Sequence, residues 1–188
     1  VFNMPLEMVT KQMRSRAKAV NFGIVYGIGA FSLAKDIGVT NKEAKQYIDN
    51  YLATYSGVDA YMKHMIDLAK DKGYSETLFH RKRYLPELSS SNHMMRAFGE
   101  RVARNMPIQG TAADIIKIAM VKVDKRLKDE GMEAHLILQV HDELIVEAPE
   151  NEAEKALAIV TEEMENACKM KVLLRADGSI GDTWFDAH

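Results

Sequence analysis

Apolar residues recur at helical spacing through most of the first 130 positions, and give way to short alternating or continuous runs in two places. Met13, Ala17, Val20 and Ile24 form one such stripe. Thr10 is placed to cap a helix running to about Val25, with Gly27 and Gly29 to end it. Thr40, followed three residues later by Glu43, predicts a capping box for a second helix through Ile48 and Leu52. A third helix is predicted over 58–72 and stopped by Gly73. The pattern changes at 74–88. There Ser75-Glu76-Thr77-Leu78-Phe79 and Lys82-Arg83-Tyr84-Leu85 read as a small hairpin with His80-Arg81 near its turn. A loop over 89–92 ends in an N-cap candidate, Asn92. A helix over 93–105 is then interrupted at Pro107 and Gly110, and a longer one over 112–128 stops at Gly131.

Two apolar runs, 135–140 and 144–148, are separated only by His141-Asp142-Glu143, the signature of a second hairpin that Pro149 ends. Asn151 is expected to cap an amphipathic helix to about residue 170, and 172–176 to form a last strand. The expected fold class is α+β: a mostly helical region, then an antiparallel β-hairpin plus one further strand packed by helices.

Composition adds boundaries to this picture. The 188 residues are 47% hydrophobic with a formal charge of −2, enough for one core or for two small lobes. One cysteine, Cys168, leaves no disulfide framework and no Cys-rich zinc site. No run reaches the ~18–20 apolar residues of a membrane span, and nothing at the start reads as a signal peptide. A reducing, cytoplasmic compartment is expected. The small net charge argues against a nucleic-acid partner only until it is divided. Residues 1–110 carry 16 basic and 10 acidic side chains, and residues 111–188 carry 9 and 17. The chain opens Val1-Phe2-Asn3 with no initiator Met, which leads us to expect a fragment.

Three groups of residues carry candidate chemistry. Arg14, Lys18, Phe22 and Tyr26 stand at successive steps of four, a slanted row about 18 Å long on a helix. Two cations one turn apart repel unless an anion lies between them, and a triphosphate fits that need. The rings beyond suit a sugar and bases. The plain alternative is a solvated basic face with Phe22 in the core. Second, Asp142 and Glu143 sit at the apex of a hairpin expected to be buried, where a divalent cation would compensate them. His141 beside them has hydrogen-bonding capacity for a phosphate or a terminal sugar. An exposed apex would instead carry acids at no cost. Third, Arg101, Asn105 and Gln109 form another row at steps of four, suited to phosphates and base edges, or simply a polar helix face. Pro107 disturbs ideal helical geometry there, so the facing of Gln109 is left open.

Together these residues resemble a known family. Met13-Arg14 through Lys18-Ala19-Val20-Asn21-Phe22-Gly23-Ile24-Val25-Tyr26-Gly27 is similar to the fingers-helix motif of family A DNA polymerases. Gln139-Val140-His141-Asp142-Glu143-Leu144 resembles their palm motif with a catalytic aspartate, and Asn105-Met106-Pro107-Ile108-Gln109-Gly110-Thr111-Ala112-Ala113-Asp114 the segment between. The resemblance covers essentially the whole chain, and 181–186 resembles the C-terminus of bacterial members. It implies fingers over 1–108 and the C-terminal part of the palm over 109–188. Arg14 and Lys18 would hold the phosphates of a deoxynucleoside triphosphate, with Lys18 also a candidate proton donor to the leaving pyrophosphate. Phe22 would pack on sugar and base; a phenylalanine there implies discrimination against nucleotides without a 3′-hydroxyl. Tyr26 would stack by the template base or fill the insertion site when the fingers open. Arg101, Asn105 and Gln109 would contact template and primer DNA, partly in the minor groove, and His141 would lie near the primer end. Asp142, with Glu143 as a lesser assistant, would bind Mg²⁺ in a two-ion site.

One departure limits this. The family's earlier palm motif, similar to Asp-Tyr-Ser-Gln-Ile-Glu-Leu-Arg, has no counterpart here, nor have thumb and exonuclease regions. The expectation is half an active site. It would need the remainder of a polymerase chain as partner, be inactive alone, and be prone to self-association through apolar surface otherwise covered. A small difference at Gly29-Ala30 reads as loop variation. The rival expectation is a non-catalytic module that holds nucleotide or DNA through its basic half. A nucleotide-binding metabolic enzyme lacks any Gly-rich phosphate loop. No membrane partner is expected.

Overall fold

The computed structural model describes residues 5–187 and divides into two compact units, one ending at Gly110 and one beginning at Thr111. In the first, α1 (Lys11–Val25) starts where Thr10 Oγ1 accepts the Met13 N–H. Val20 and Ile24 are buried, and with Leu33, Ala34, Ile37, Ala44 and Met62 they form the first core. Gly23 makes this packing possible: a Cβ there would lie 2.6 Å from Ile28 Cγ2, where the chain folds back on the helix. Gly27 then turns at φ +73°, a conformation a Cβ disfavours.

A helix that the periodicity did not announce follows, α2 (Ala30–Ile37), closed by Gly38 at φ +68°. α3 (Asn41–Thr54) carries the capping box in full, with Glu43 N–H donating to Thr40 Oγ1 and Thr40 N–H donating to Glu43. α4 (Ser56–Lys72) starts two residues before the expected position and ends at Gly73. β1 (Tyr74–Glu76) and β2 (Lys82–Tyr84) then pair antiparallel, Tyr74 opposite Tyr84. α5 (His93–Asn105), capped by Asn92, packs through Ala103 on a second core with Ala69, Leu85 and Leu88. Met106–Gly110 is one wide π turn, so Pro107 is absorbed without a loop.

The second unit contains α6 (Thr111–Asp129), then β3 (His135–Val140) antiparallel to β4 (Glu143–Glu147), then α7 (Ala153–Glu165). Its core joins Val123 and Leu127 of α6 to Ala156 and Ile159 of α7, with Leu144 and Val146 of β4 against them. Arg126 ties the two helices on the outside, bonding Glu130, Glu162 and Glu163. The turn of this hairpin is two residues, His141-Asp142, rather than three.

Three expectations fail here. Residues 172–176 are not a strand, because among the described residues no neighbouring strand offers them a ladder; Ala176 N–H bonds the Glu165 carboxylate instead. Asn151 caps nothing: a 3₁₀ turn, Glu150–Glu152, intervenes, and Glu152 accepts the backbone N–H groups of Glu133 and Ala134. α7 also ends near Glu165, short of residue 170.

Leu33 is fully buried and Phe31 is 77% exposed two residues away on the same helix. Leu33→Ala is expected to cost about 2–5 kcal/mol and Phe31→Ala less than about 0.5 kcal/mol, read from urea unfolding. The capping box also predicts a pH dependence. Hydrogen bonds from the Thr40 hydroxyl and N–H hold the Glu43 carboxyl below its usual range. Its stabilisation is therefore complete above the ordinary glutamate value and lost as pH falls through the lowered one. The difference in urea midpoint between wild type and Glu43→Gln should shrink from pH 7 to pH 3; a constant difference would contradict the box.

Candidate functional site

The packing of α1 decides what its outer face presents. With Val20, Gly23 and Ile24 turned inward, Arg14 and Lys18 are exposed, and Phe22 and Tyr26 remain 51% and 42% exposed. Phe22 is thus not a core residue, as the plain alternative required. Its ring stacks with that of Tyr26, centroids 6.4 Å apart. Neither Arg14 nor Lys18 pairs with a carboxylate among the described residues.

Two clefts open along this helix. One, of about 520 Å³, is lined by Arg14, Lys18, Asn21, Tyr51 and Tyr55. Tyr51 donates its hydroxyl to Asn21 Oδ1 at 2.5 Å and packs on Tyr55, the centroids 4.8 Å apart. Burial pushes the Tyr51 phenol above its ordinary value, with Tyr55 adding to it, so it stays a hydrogen-bond donor. The other cleft, of about 640 Å³, brings Phe22 and Tyr26 together with Ser32, Asp36 and Arg101. The cationic end and the aromatic end of the row therefore face separate spaces of one unit.

Arg101 reaches this cleft from α5, its guanidinium 5.8 Å from the Phe98 ring. One turn on, Arg104 lies against the Gly27 turn, where a Cβ would meet its Nη2 at 2.5 Å. Burial draws the Arg104 guanidinium below its ordinary value, with Glu100 opposing and Arg101 assisting. A cation at this point complements the carbonyl end of α1. The third row keeps its spacing through the π turn: Asn105 Nδ2 donates to Gln109 Oε1 at 2.8 Å. Asn105 Oδ1 is buried with no partner.

In the second unit, His141 and Asp142 form the exposed tip of the hairpin, and Glu143 is half-buried. His141 takes φ +53°, held by Gln139 Nε2 donating to its carbonyl at 2.6 Å. The premise of a buried carboxylate pair is therefore not met: Asp142 is solvated, and its charge needs no cation. Among the described residues no three His, Cys, Asp or Glu side chains converge as a metal site. The donor set suits one side of a Mg²⁺ ion, which takes one or two carboxylates plus substrate phosphates, and does not enclose it.

Sequence reasoning missed Arg104, Asn21, Tyr51 and Tyr55. Asn21 lies inside the fingers motif, one helical turn from Lys18, so its face was readable. The tyrosines arrive from α3, and no local pattern places them beside α1. No described helix is long and apolar enough to cross a membrane.

Known proteins match this chain closely in sequence and in fold. The chain is 51% identical over 187 residues to DNA polymerase I of Geobacillus stearothermophilus, and 51% identical over 187 residues to that of Bacillus subtilis. All of the chain aligns, but it spans only 21% of either relative. Among solved structures, the POL domain of Pol1 from M. smegmatis, in complex with DNA primer-template and dNTP, superposes with a TM-score of 0.94. That match is 42% identical and covers 99% of this chain and 33% of the other. The family model of DNA polymerase family A matches residues 1–186. A match of that extent, with the three motifs in order on the same fold, means that the chain belongs to DNA polymerase family A.

Proposed function

We propose that this chain supplies the fingers and the C-terminal palm segment of a DNA-directed DNA polymerase that adds deoxynucleotides to a primer 3′-end. The observation that carries the reading is the outward row on α1. Arg14 and Lys18, unpaired with any acid among the described residues, stand at one end, and Phe22 stacked on Tyr26 at the other. In this reading the cations take the triphosphate by charge-assisted hydrogen bonds, and Lys18 stands where a proton would pass to the pyrophosphate leaving group. Phe22 packs on the sugar and base, and Tyr26 with Arg101 lines the space for a template base. The neighbouring solved domain, bound to primer-template and dNTP, supports these two partners.

Asp142 would hold a share of the metal site, Glu143 standing beside it, and His141 would meet the primer end. Two bound Mg²⁺ ions would activate the attacking hydroxyl and neutralise phosphate charge. The chain's residues provide only part of that ligand set. A role in replication and repair, in the cytoplasm, goes with the same reading. The second reading, a binding module without catalysis, is favoured by the solvated state of Asp142. It needs Arg14, Lys18 and Arg101 and is indifferent to Asp142.

Measurements separate these readings. With Mg²⁺, the 188-residue chain is expected to give no templated primer extension; extension at the rate of a complete polymerase would overturn that. Arg14→Ala and Lys18→Ala should each weaken deoxynucleoside triphosphate binding by about tenfold or more, read by calorimetry. In a longer protein that also contains the upstream palm motif, Asp142→Ala should lower extension by more than about 100-fold. Undiminished extension would instead favour the module.

Leu173 and Phe185 are almost wholly exposed in the second unit, as Ile137 and Leu138 are partly on its hairpin. We expect the chain alone to self-associate with rising concentration in light scattering, and a strict monomer would count against apolar surface meant for the rest of a polymerase.

A further inference from the structure

The β1–β2 hairpin takes no part in the site above, yet its surface is unusual. Its buried side is fixed. Ser75 donates its hydroxyl to the Ala103 carbonyl at 3.2 Å, and Thr77 Oγ1 accepts the N–H groups of Phe79 and Arg81, each at 3.2 Å. Thr77 N–H also closes the loop onto the Arg81 carbonyl at 3.0 Å, and His80 turns it at φ +63°. Residues 77–81 are therefore held in one shape.

Strand alternation puts Tyr74, Glu76, Lys82 and Tyr84 together on the opposite, outward face, with Tyr74 paired to Tyr84 and Glu76 to Lys82. The two rings meet edge to face, centroids 5.8 Å apart. Lys82 Nζ lies 4.5 Å and Lys72 Nζ 5.8 Å from the Tyr74 centroid, so ammonium groups occupy that ring. The Tyr84 ring carries no such cover and is 71% exposed. Every residue of β2 is exposed. Lys82 pairs with no carboxylate among the described residues, while Arg83, opposite Ser75, alternates onto the other face.

We propose that this hairpin binds single-stranded nucleic acid, with a phosphate at Lys82 and a base stacked on Tyr84. Lys72 and Lys82 both bring their ammonium groups to the Tyr74 ring, and a phosphate beside them relieves their repulsion. The edge-on Tyr74 holds the Tyr84 ring at a fixed angle, which lowers the entropy cost of stacking. Base faces are accessible only in an unpaired strand, and cations beside an exposed ring on a rigid platform fit that ligand. An anionic lipid surface or a phosphopeptide would use the cations and leave Tyr84 idle.

Fluorescence anisotropy of the 188-residue chain with a labelled single-stranded 12-mer tests this. Tyr84→Ala should weaken binding by about 5- to 100-fold at unchanged salt dependence, and Tyr84→Phe should retain binding. Lys82→Gln should reduce the slope of log affinity against log salt by about 0.7. Iodouracil cross-linking should mark the peptide containing Tyr84. Excess deoxynucleoside triphosphate should not displace the strand, so failure here is distinct from failure of the Arg14–Lys18 row. No binding by wild type, equal binding by Tyr84→Ala, or a cross-link confined to another peptide each overturns the proposal. So does anionic-vesicle binding that competes fully with the 12-mer.

Discussion

The first unit depends on the burial of Val20 and Ile24 against Leu33, Ile37 and Ala44. A 15-residue helix such as α1 is marginal alone in water, since nucleation costs more than its few hydrogen bonds return. Tertiary packing must hold it, and the packing also aims it. Once one edge is fixed inward, the helical period leaves Arg14, Lys18, Phe22 and Tyr26 no position but outward. Gly23 is the tolerance in this joint: a methyl group there would collide with Ile28 and lift the turn that follows. Core and outer row are thus two sides of one helix, and a change at Val20 would reach the cationic end without touching it.

Charge is distributed differently from what a single total suggests. The acidic excess of the second unit is in part structural. Glu130, Glu162 and Glu163 surround Arg126, and Lys155 also reaches Glu130. These are exposed pairs worth little individually, although a shared cation makes them a network. The carboxylate of functional interest, Asp142, stands outside it. In the first unit much of the basic excess is unpaired. Lys45, Lys63, Lys70 and Lys72 answer to acids, whereas among the described residues Arg14, Lys18, Lys82 and Arg83 do not. Unpaired cations on two separate faces are the reason that two anionic partners come into view.

Local signals were legible where the chemistry is local. Thr40 with Glu43, Asn92, Gly73 and the apolar stripe of α1 each act within a few residues, and each appears as expected. α2 escaped because Gly29 and Gly38 bracket only eight residues, which reads as loop; its Leu33, Ala34 and Ile37 become a stripe only once there is a core to face. The strand expected over 172–176 failed for the opposite reason. Its residues favour extended structure, but a strand exists only through a neighbour's ladder. Arg104 and the Tyr51–Asn21 bond were invisible because both join elements far apart in sequence, 77 residues between Gly27 and Arg104 and 30 between Asn21 and Tyr51.

The row Arg101–Asn105–Gln109 is narrowed by hydrogen-bond accounting. Asn and Gln each bring two donors and an acceptor, so spacing alone leaves open what they recognise. Here Gln109 Oε1 is occupied by Asn105, and the remaining Asn105 acceptor is buried. The exposed groups left on the row are the Gln109 amide N–H donors and the Arg101 guanidinium, all donors. A surface of donors fits a surface of acceptors, and every base pair offers acceptors in the minor groove whatever its sequence. The π turn at Met106–Gly110 is what permits this pairing. It carries Pro107, which lacks an N–H, across a position where a regular helix would need one, and still brings residues 105 and 109 together. A row arranged in this way suits a partner read without regard to its sequence.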